Sequence, residues 1–199
     1  IVFGDWSSDV CSSDLRASLA VKEAFLERVD ALMALCLLAE RTLGSGGKLL
    51  VCGNGGSACD AAHIAGELVG WFLDRSRGPL PAIALGFETP ALTAIANDQG
   101  YEQVFARQVE ALGRPGDLLL GISTSGRSLS VVRALEMARA RGLSTAALLG
   151  AEGGACAPLA DVAVQVPSRE TPRIQECHIL ALHVLAEWLE RRVPPGASR

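Results

Sequence analysis

The chain has 199 residues, 49% of them hydrophobic and 20% charged, with a formal net charge of −4. That is enough chain for one domain with an ample core, and its acidic balance gives no electrostatic reason to expect nucleic acid as a partner. No apolar run reaches the ~20 residues that span a bilayer, and the six cysteines show no C-x-x-C or zinc-ribbon spacing, which suits a reduced, cytoplasmic protein.

Residues 1–15, IVFGDWSSDVCSSDL, stand apart from the rest of the chain. SSDV and SSDL repeat, no helical or strand period runs through them, and they have neither the basic start nor the apolar core of a signal peptide. They read as a tail of non-native appearance outside the fold. Residues 16–193 read as a single domain that opens on a helical extension, and 194–199 as a frayed end.

Apolar residues from Leu19 to Ala39 follow the 3–4 spacing and predict a helix over 16–44, closed by Gly44 and Gly46-Gly47. Lys48–Cys52 is a strand, apolar after its first residue, as in a parallel sheet covered on both faces. A helix is expected from Ser57 to about Leu73, a loop over 75–81, a short strand at Ala82–Leu85 and helices at Thr89–Ala96 and Tyr101–Leu112. Asp117–Ile122 and Ser144–Leu149 are strands on either side of a helix at Ser128–Arg141. Gly150–Ala157 is a Gly-rich loop, Asp161–Val166 a fifth strand, and Pro172–Arg192 the closing helix, with its proline in the first turn. Alternating strands and helices imply right-handed crossovers and a doubly wound, three-layer α/β sandwich with a five-stranded parallel sheet. Ligands of such folds bind at the carboxyl ends of the strands.

Two loops fall there. Gly53-Asn54-Gly55-Gly56-Ser57-Ala58 and Gly121-Ile122-Ser123-Thr124-Ser125-Gly126-Arg127-Ser128 each join an apolar strand to a helix N-terminus. Such a turn offers unpaired N–H groups and a positive dipole end to an anion such as phosphate. The first fits G-x-G-x-x-A but lacks the acidic residue about 20 positions on that a dinucleotide site needs, so no nucleotide is expected. Asn54 and Ser57 can hydrogen-bond a ligand beyond what the turn requires. The second resembles a P-loop with Arg127 in place of the lysine. Its four hydroxyls in six residues exceed the one that caps a helix.

Asp60, His63 and Glu67 share a helix, His63 and Glu67 four apart on one face amid apolar neighbours. Gln175, His178 and His183 stand on the last helix, which is apolar nearly all round between 174 and 189 and so suggests a subunit interface. At ~100° per residue His178 and His183 project ~140° apart and are not expected to serve one site from one chain.

These stretches together, GNGGSACDAAHIAGEL, TAIANDQGYEQVFARQVEALGRPGDLLLGISTSGRS and RIQECHILALHVLAEWLE, resemble the SIS (sugar isomerase) domain with its flavodoxin-like fold, and within it the phosphoheptose isomerases. The resemblance covers residues 16–192. It implies a cytoplasmic homotetramer with active sites between subunits, converting sedoheptulose 7-phosphate to D-glycero-D-manno-heptose 7-phosphate, a precursor of bacterial surface heptose. It implies phosphate held by Ser123, Thr124, Ser125 and Ser128, with Asn54, Gly55, Gly56, Ser57, Asn97, Asp98 and Gln175 against the sugar. Glu67 and His183 would be the acid/base pair. Some members carry zinc on residues matching His63, Glu67, Gln175 and His183. Gly66 departs from the second acidic residue many members have. A related branch shares TAIAND and the phosphate loop but is a tetrameric adaptor for the replication initiator DnaA; it lacks the helix Glu and the second His of the last helix, both present here.

Overall fold

The computed structural model describes residues 8–193. Its five strands, β1 (Leu49–Gly53), β2 (Ala82–Ala84), β3 (Leu118–Ser123), β4 (Ser144–Leu149) and β5 (Val162–Gln165), form one sheet in the order β2-β1-β3-β4-β5. Every pairing is parallel, with Leu49 beside Ala82 and Leu118, and Leu118 beside Ser144. The order reverses between β1 and β3, so a crevice opens at the carboxyl ends of those two strands.

β1 and β3 are buried at every residue, because alternate side chains enter two separate cores. Leu49, Val51, Leu118, Leu120 and Ile122 point to one face, under α2 (Val29–Gly44), α3 (Gly56–Val69) and α7 (Thr171–Arg192). Leu50, Cys52, Leu119, Ala147 and Leu149 point to the other, under α5 (Val104–Leu112) and α6 (Leu129–Ala140), with α4 (Thr89–Gln99) packed beside them. Each fully buried leucine contributes about 1.5–3 kcal/mol relative to an exposed one. That is why these strands read as continuous apolar runs and not as alternating ones.

The element boundaries differ from expectation at the start of the chain and after α3. Helix α1 spans Ser8–Phe25, so residues 8–15 are helical although no apolar period marks them, and the boundary at residue 15 is not a structural one. Long-range polar contacts hold this turn: Arg173 donates to the Asp14 carbonyl at 2.8 Å and to its carboxylate at 3.1 Å. A 3-10 turn at Leu26–Arg28 divides the expected single helix into α1 and α2. Helix α3 ends at Val69 and not at Leu73, because the N–H groups of Phe72, Leu73 and Asp74 are all taken by the Glu190 carboxylate. Residues 1–7 and the tail expected at 194–199 lie outside the described residues. No helix among those described is long and apolar enough to cross a membrane.

Candidate active site

The second loop closes on itself before it meets any ligand. The Gly126 N–H reaches the Ser123 hydroxyl oxygen at 3.1 Å, and the Arg127 N–H reaches that of Ser125 at 3.1 Å. Gly126 has φ 65°, and a Cβ there would run into the Gly153 carbonyl, so only glycine lets this loop lie on the Gly150–Ala157 loop. Ser123 is buried, Thr124 and Ser128 are half-buried and Ser125 is exposed. Thr124, Ser125 and Arg127 open onto a cavity of about 160 Å³ shared with Glu152, Ser168 and Arg169. Glu152 holds Arg127 at 2.5 Å.

The first loop is tied to the second. Asn54 Nδ2 donates to the Ser128 hydroxyl at 2.7 Å and to that of Ser130 at 3.0 Å. Its Oδ1 accepts from the Tyr101 hydroxyl at 2.8 Å. The Asn54 amide therefore spends its donors inside the protein. Gly55 and Gly56 are exposed and Ser57 is buried beneath them. A Cβ at Gly56 would collide with the Gln175 amide, which leans over the start of α3. Asn97 and Asp98 are exposed at the end of α4, joined by a 2.7 Å amide–carboxylate hydrogen bond.

A second cluster forms further down α3. His63 Nε2 lies 3.0 Å from His183 Nε2, and 3.5 Å from Glu67 Oε1. The face of Phe72 stacks on His183 at 5.5 Å between centroids. His63 and Glu67 remain 41% and 23% exposed. Which ring nitrogen donates to the other depends on the tautomers. Asp60, a turn away, keeps one oxygen buried without a partner; burial raises its pKa against the opposing pull of His63. Gln175 does not join this cluster. It stands eight residues before His183 on the same helix, about 12 Å away at ~1.5 Å per residue. Among the described residues no group of three or more His, Cys, Asp or Glu side chains is drawn together tightly enough to hold a metal ion.

His178 turns the other way, as the helical rotation requires. It is fully buried, and its Nε2 meets the Leu149 carbonyl at 3.2 Å at the end of β4. Burial lowers its pKa to about 4, against the raising effect of that hydrogen bond. The thiols of Cys36 and Cys156 are pushed up to about 11 by burial, which makes them inert hydrophobes at neutral pH.

Tyr101, Ser130, Phe72, Arg77 and Glu190 are the supporting residues that spacing does not single out. Arg77 donates to the Leu68 and Glu67 carbonyls at 2.9 and 2.7 Å and pairs with Glu190 at 3.1 Å, so it clamps the end of α3 that carries Glu67. Burial works against the Glu190 carboxylate, but three backbone N–H groups and Arg77 outweigh it and hold its pKa below the usual range.

The chain is a doubly wound sheet with a hydroxyl-lined loop and a separate imidazole–carboxylate cluster, and the SIS domain family model matches residues 15–150. A phosphoheptose isomerase of Helicobacter pylori (strain P12) is 53% identical over 178 residues, covering 87% of this chain and 92% of that protein. One from Roseiflexus sp. (strain RS-1) is 52% identical over 179 residues, covering 89% and 90%. The solved structure of phosphoheptose isomerase GmhA from Neisseria gonorrhoeae superposes with a TM-score of 0.87 at 40% identity, over 92% of this chain and 98% of that one. The chain belongs to the phosphoheptose isomerase family and is an isomerase.

Proposed function

We propose that this isomerase converts sedoheptulose 7-phosphate, a ketose, to the aldose D-glycero-D-manno-heptose 7-phosphate, with Glu67 and His183 as the acid/base pair. The observation that carries the assignment of roles is the contact of His183 with His63, itself beside Glu67. In the open-chain sugar Glu67 takes a proton from C1 while His183 gives one to the oxygen on C2, forming an enediol. Glu67 then returns its proton to C2, and His183 recovers one from the oxygen on C1. A carboxylate and an imidazole suit these transfers, and the phosphate supplies binding energy remote from the reacting carbons. The adaptor alternative is not favoured, since the relatives at above 50% identity are isomerases.

Ser123, Thr124, Ser125 and Ser128 would hold the phosphate, with Asn54, Gly55, Gly56, Ser57, Asn97, Asp98 and Gln175 bordering the sugar. The phosphate loop and the acid/base pair of one chain do not belong to the same substrate molecule in this reading. Glu67 lies 11 residues along α3 from Gly56, about 16 Å at ~1.5 Å per residue. A seven-carbon phosphate reaches only about 10 Å from C1 to phosphorus, at carbon–carbon steps of ~1.5 Å. The pair of one chain would therefore serve a sugar held by the loop of a neighbour, in a cytoplasmic homotetramer. Exposed apolar side chains on α1, α2 and α7, among them Leu19, Val29, Met33, Leu180 and Val184, support such an assembly.

Zinc on His63, Glu67, Gln175 and His183 is part of the same reading, although within one chain these side chains are not drawn together into a metal-holding group. The imidazoles would have to turn from one another, and Gln175 of a second copy would be the fourth ligand. The imidazole and carboxylate donors suit zinc, although an amide is a weak ligand, and two ring nitrogens already face one another. When bound, zinc would polarise the sugar oxygens as a Lewis acid. Elemental analysis of protein purified without chelator is expected to give one zinc per chain; metal-free protein that gains nothing from added zinc contradicts this. An assay of the purified protein with sedoheptulose 7-phosphate tests the reaction itself: the aldose 7-phosphate should appear, and its absence would overturn the assignment.

A further inference from the structure

We propose that Tyr101 is a positioning residue that fixes the donor polarity of the phosphate loop, acting through Asn54 on Ser128. The inference rests on reading that loop as the phosphate site. Tyr101 opens the 3-10 turn Tyr101–Gln103, directly after Gly100 at the end of the Asn97-Asp98 segment. Its hydroxyl donates to Asn54 Oδ1 at 2.8 Å. The amide then presents Nδ2, with its two hydrogens, to the oxygens of Ser128 and Ser130 at 2.7 and 3.0 Å. Both serine oxygens act as acceptors and keep their own protons. Ser130 is buried, with its oxygen 3.2 Å from that of Ser128, and can pass its proton there. Ser128 is left with its lone pairs filled and one proton to give. It is half-buried and heads α6, so that proton faces the anion site. A hydroxyl that already accepts hydrogen bonds is a stronger donor.

The arrangement has a mirror that would defeat binding. An asparagine amide can turn over without changing shape. Turned, Asn54 would offer its oxygen to both serines, draw their protons inward and leave lone pairs facing a dianion. What opposes the turn is the Tyr101 hydroxyl, since a phenol donates better than it accepts and would then face an NH₂ group. Removing this single oxygen releases the amide without touching the loop.

The test is steady-state kinetics on sedoheptulose 7-phosphate with four proteins: parent, Tyr101→Phe, Ser128→Ala and the double variant. Tyr101→Phe should raise KM about fivefold to tenfold, the worth of one hydrogen bond to binding, with kcat within about twofold. The melting temperature should not move, because Tyr101 is 53% exposed. In the Ser128→Ala background the tyrosine change should add nothing, as expected for residues acting in series. If Ser128→Ala raises KM and Tyr101→Phe does not, the role assigned to Tyr101 is wrong. If the two effects multiply, Tyr101 does not act through Ser128. If Ser128→Ala itself leaves KM unchanged, the phosphate reading fails and this inference falls with it.

Discussion

The two ends of the site differ in how much of their structure one chain completes. The end proposed to hold phosphate is finished. Its turns are closed by internal N–H bonds to Ser123 and Ser125, Gly126 is packed on the Gly150–Ala157 loop, and Asn54 ties both loops together. The chemical end is assembled but open: His63, Glu67 and His183 touch in sequence, yet His63 and Glu67 stay partly exposed. The difference is instructive. Holding a phosphate needs many small, rigid dipoles, which a strand–loop–helix turn supplies locally. Moving protons on a sugar needs water excluded and a base within reach; Glu67 is the proposed base, and in the proposed tetramer a second subunit would exclude the water.

The largest expected effect falls on the chemical end. Glu67→Gln keeps size and hydrogen bonding but cannot take a carbon-bound proton, so turnover should fall at least ~10²-fold while substrate still binds. His183→Gln should do likewise. Near-parental turnover in either would remove that residue from the mechanism. A sharper form of the comparison mixes two impaired proteins at low substrate. Glu67→Gln subunits refolded together with Ser125→Ala/Ser128→Ala subunits should recover activity, because some sites then pair an intact loop with an intact acid/base pair. No recovery in mixed oligomers would put both ends of each site in one chain.

At the phosphate end, the Ser125→Ala/Ser128→Ala change removes two neutral donors to an anion. Each is worth ~1.5–3 kcal/mol, so substrate binding should weaken by well over tenfold with an unchanged fold. Unchanged affinity would make the loop merely a turn.

The effect furthest from turnover is one on stability and concerns the floor beneath that loop. His178 has a folded pKa of about 4 against 6.5 for the free side chain. Between those values the unfolded chain takes a proton that the folded chain refuses. Stability should therefore be undiminished above pH 6.5 and fall by up to about 3 kcal/mol as the pH drops to about 4. Denaturant titrations across that window should show the decline in the parent and a flatter profile in His178→Gln. An equal slope in both would exclude His178 as its source.

The sheet was legible because buried parallel strands are continuous apolar runs; Ser144–Leu149 appears with the expected ends. Gly and Ser clusters mark the two loops for the same local reason. What the sequence hides is long-range. Gly70 is a local stop signal after Val69, but what holds the turn beyond it is Glu190, over a hundred residues away. Nothing in residues 8–15 signals a helix, and its anchor is Arg173. The His63–His183 contact is foreshadowed by residue type and resemblance. Gln175 misleads, because sharing a helix with His183 does not bring it to the same place.

The central claim, that Glu67 moves a proton on the sugar carbons, is tested most directly by solvent exchange. Sedoheptulose 7-phosphate incubated with the parent protein in deuterated water should acquire deuterium at C1 and in the C2 position of the aldose, seen by NMR. Glu67→Gln should bind the sugar phosphate and leave both positions protonated. Exchange at the parental rate in Glu67→Gln would contradict the account.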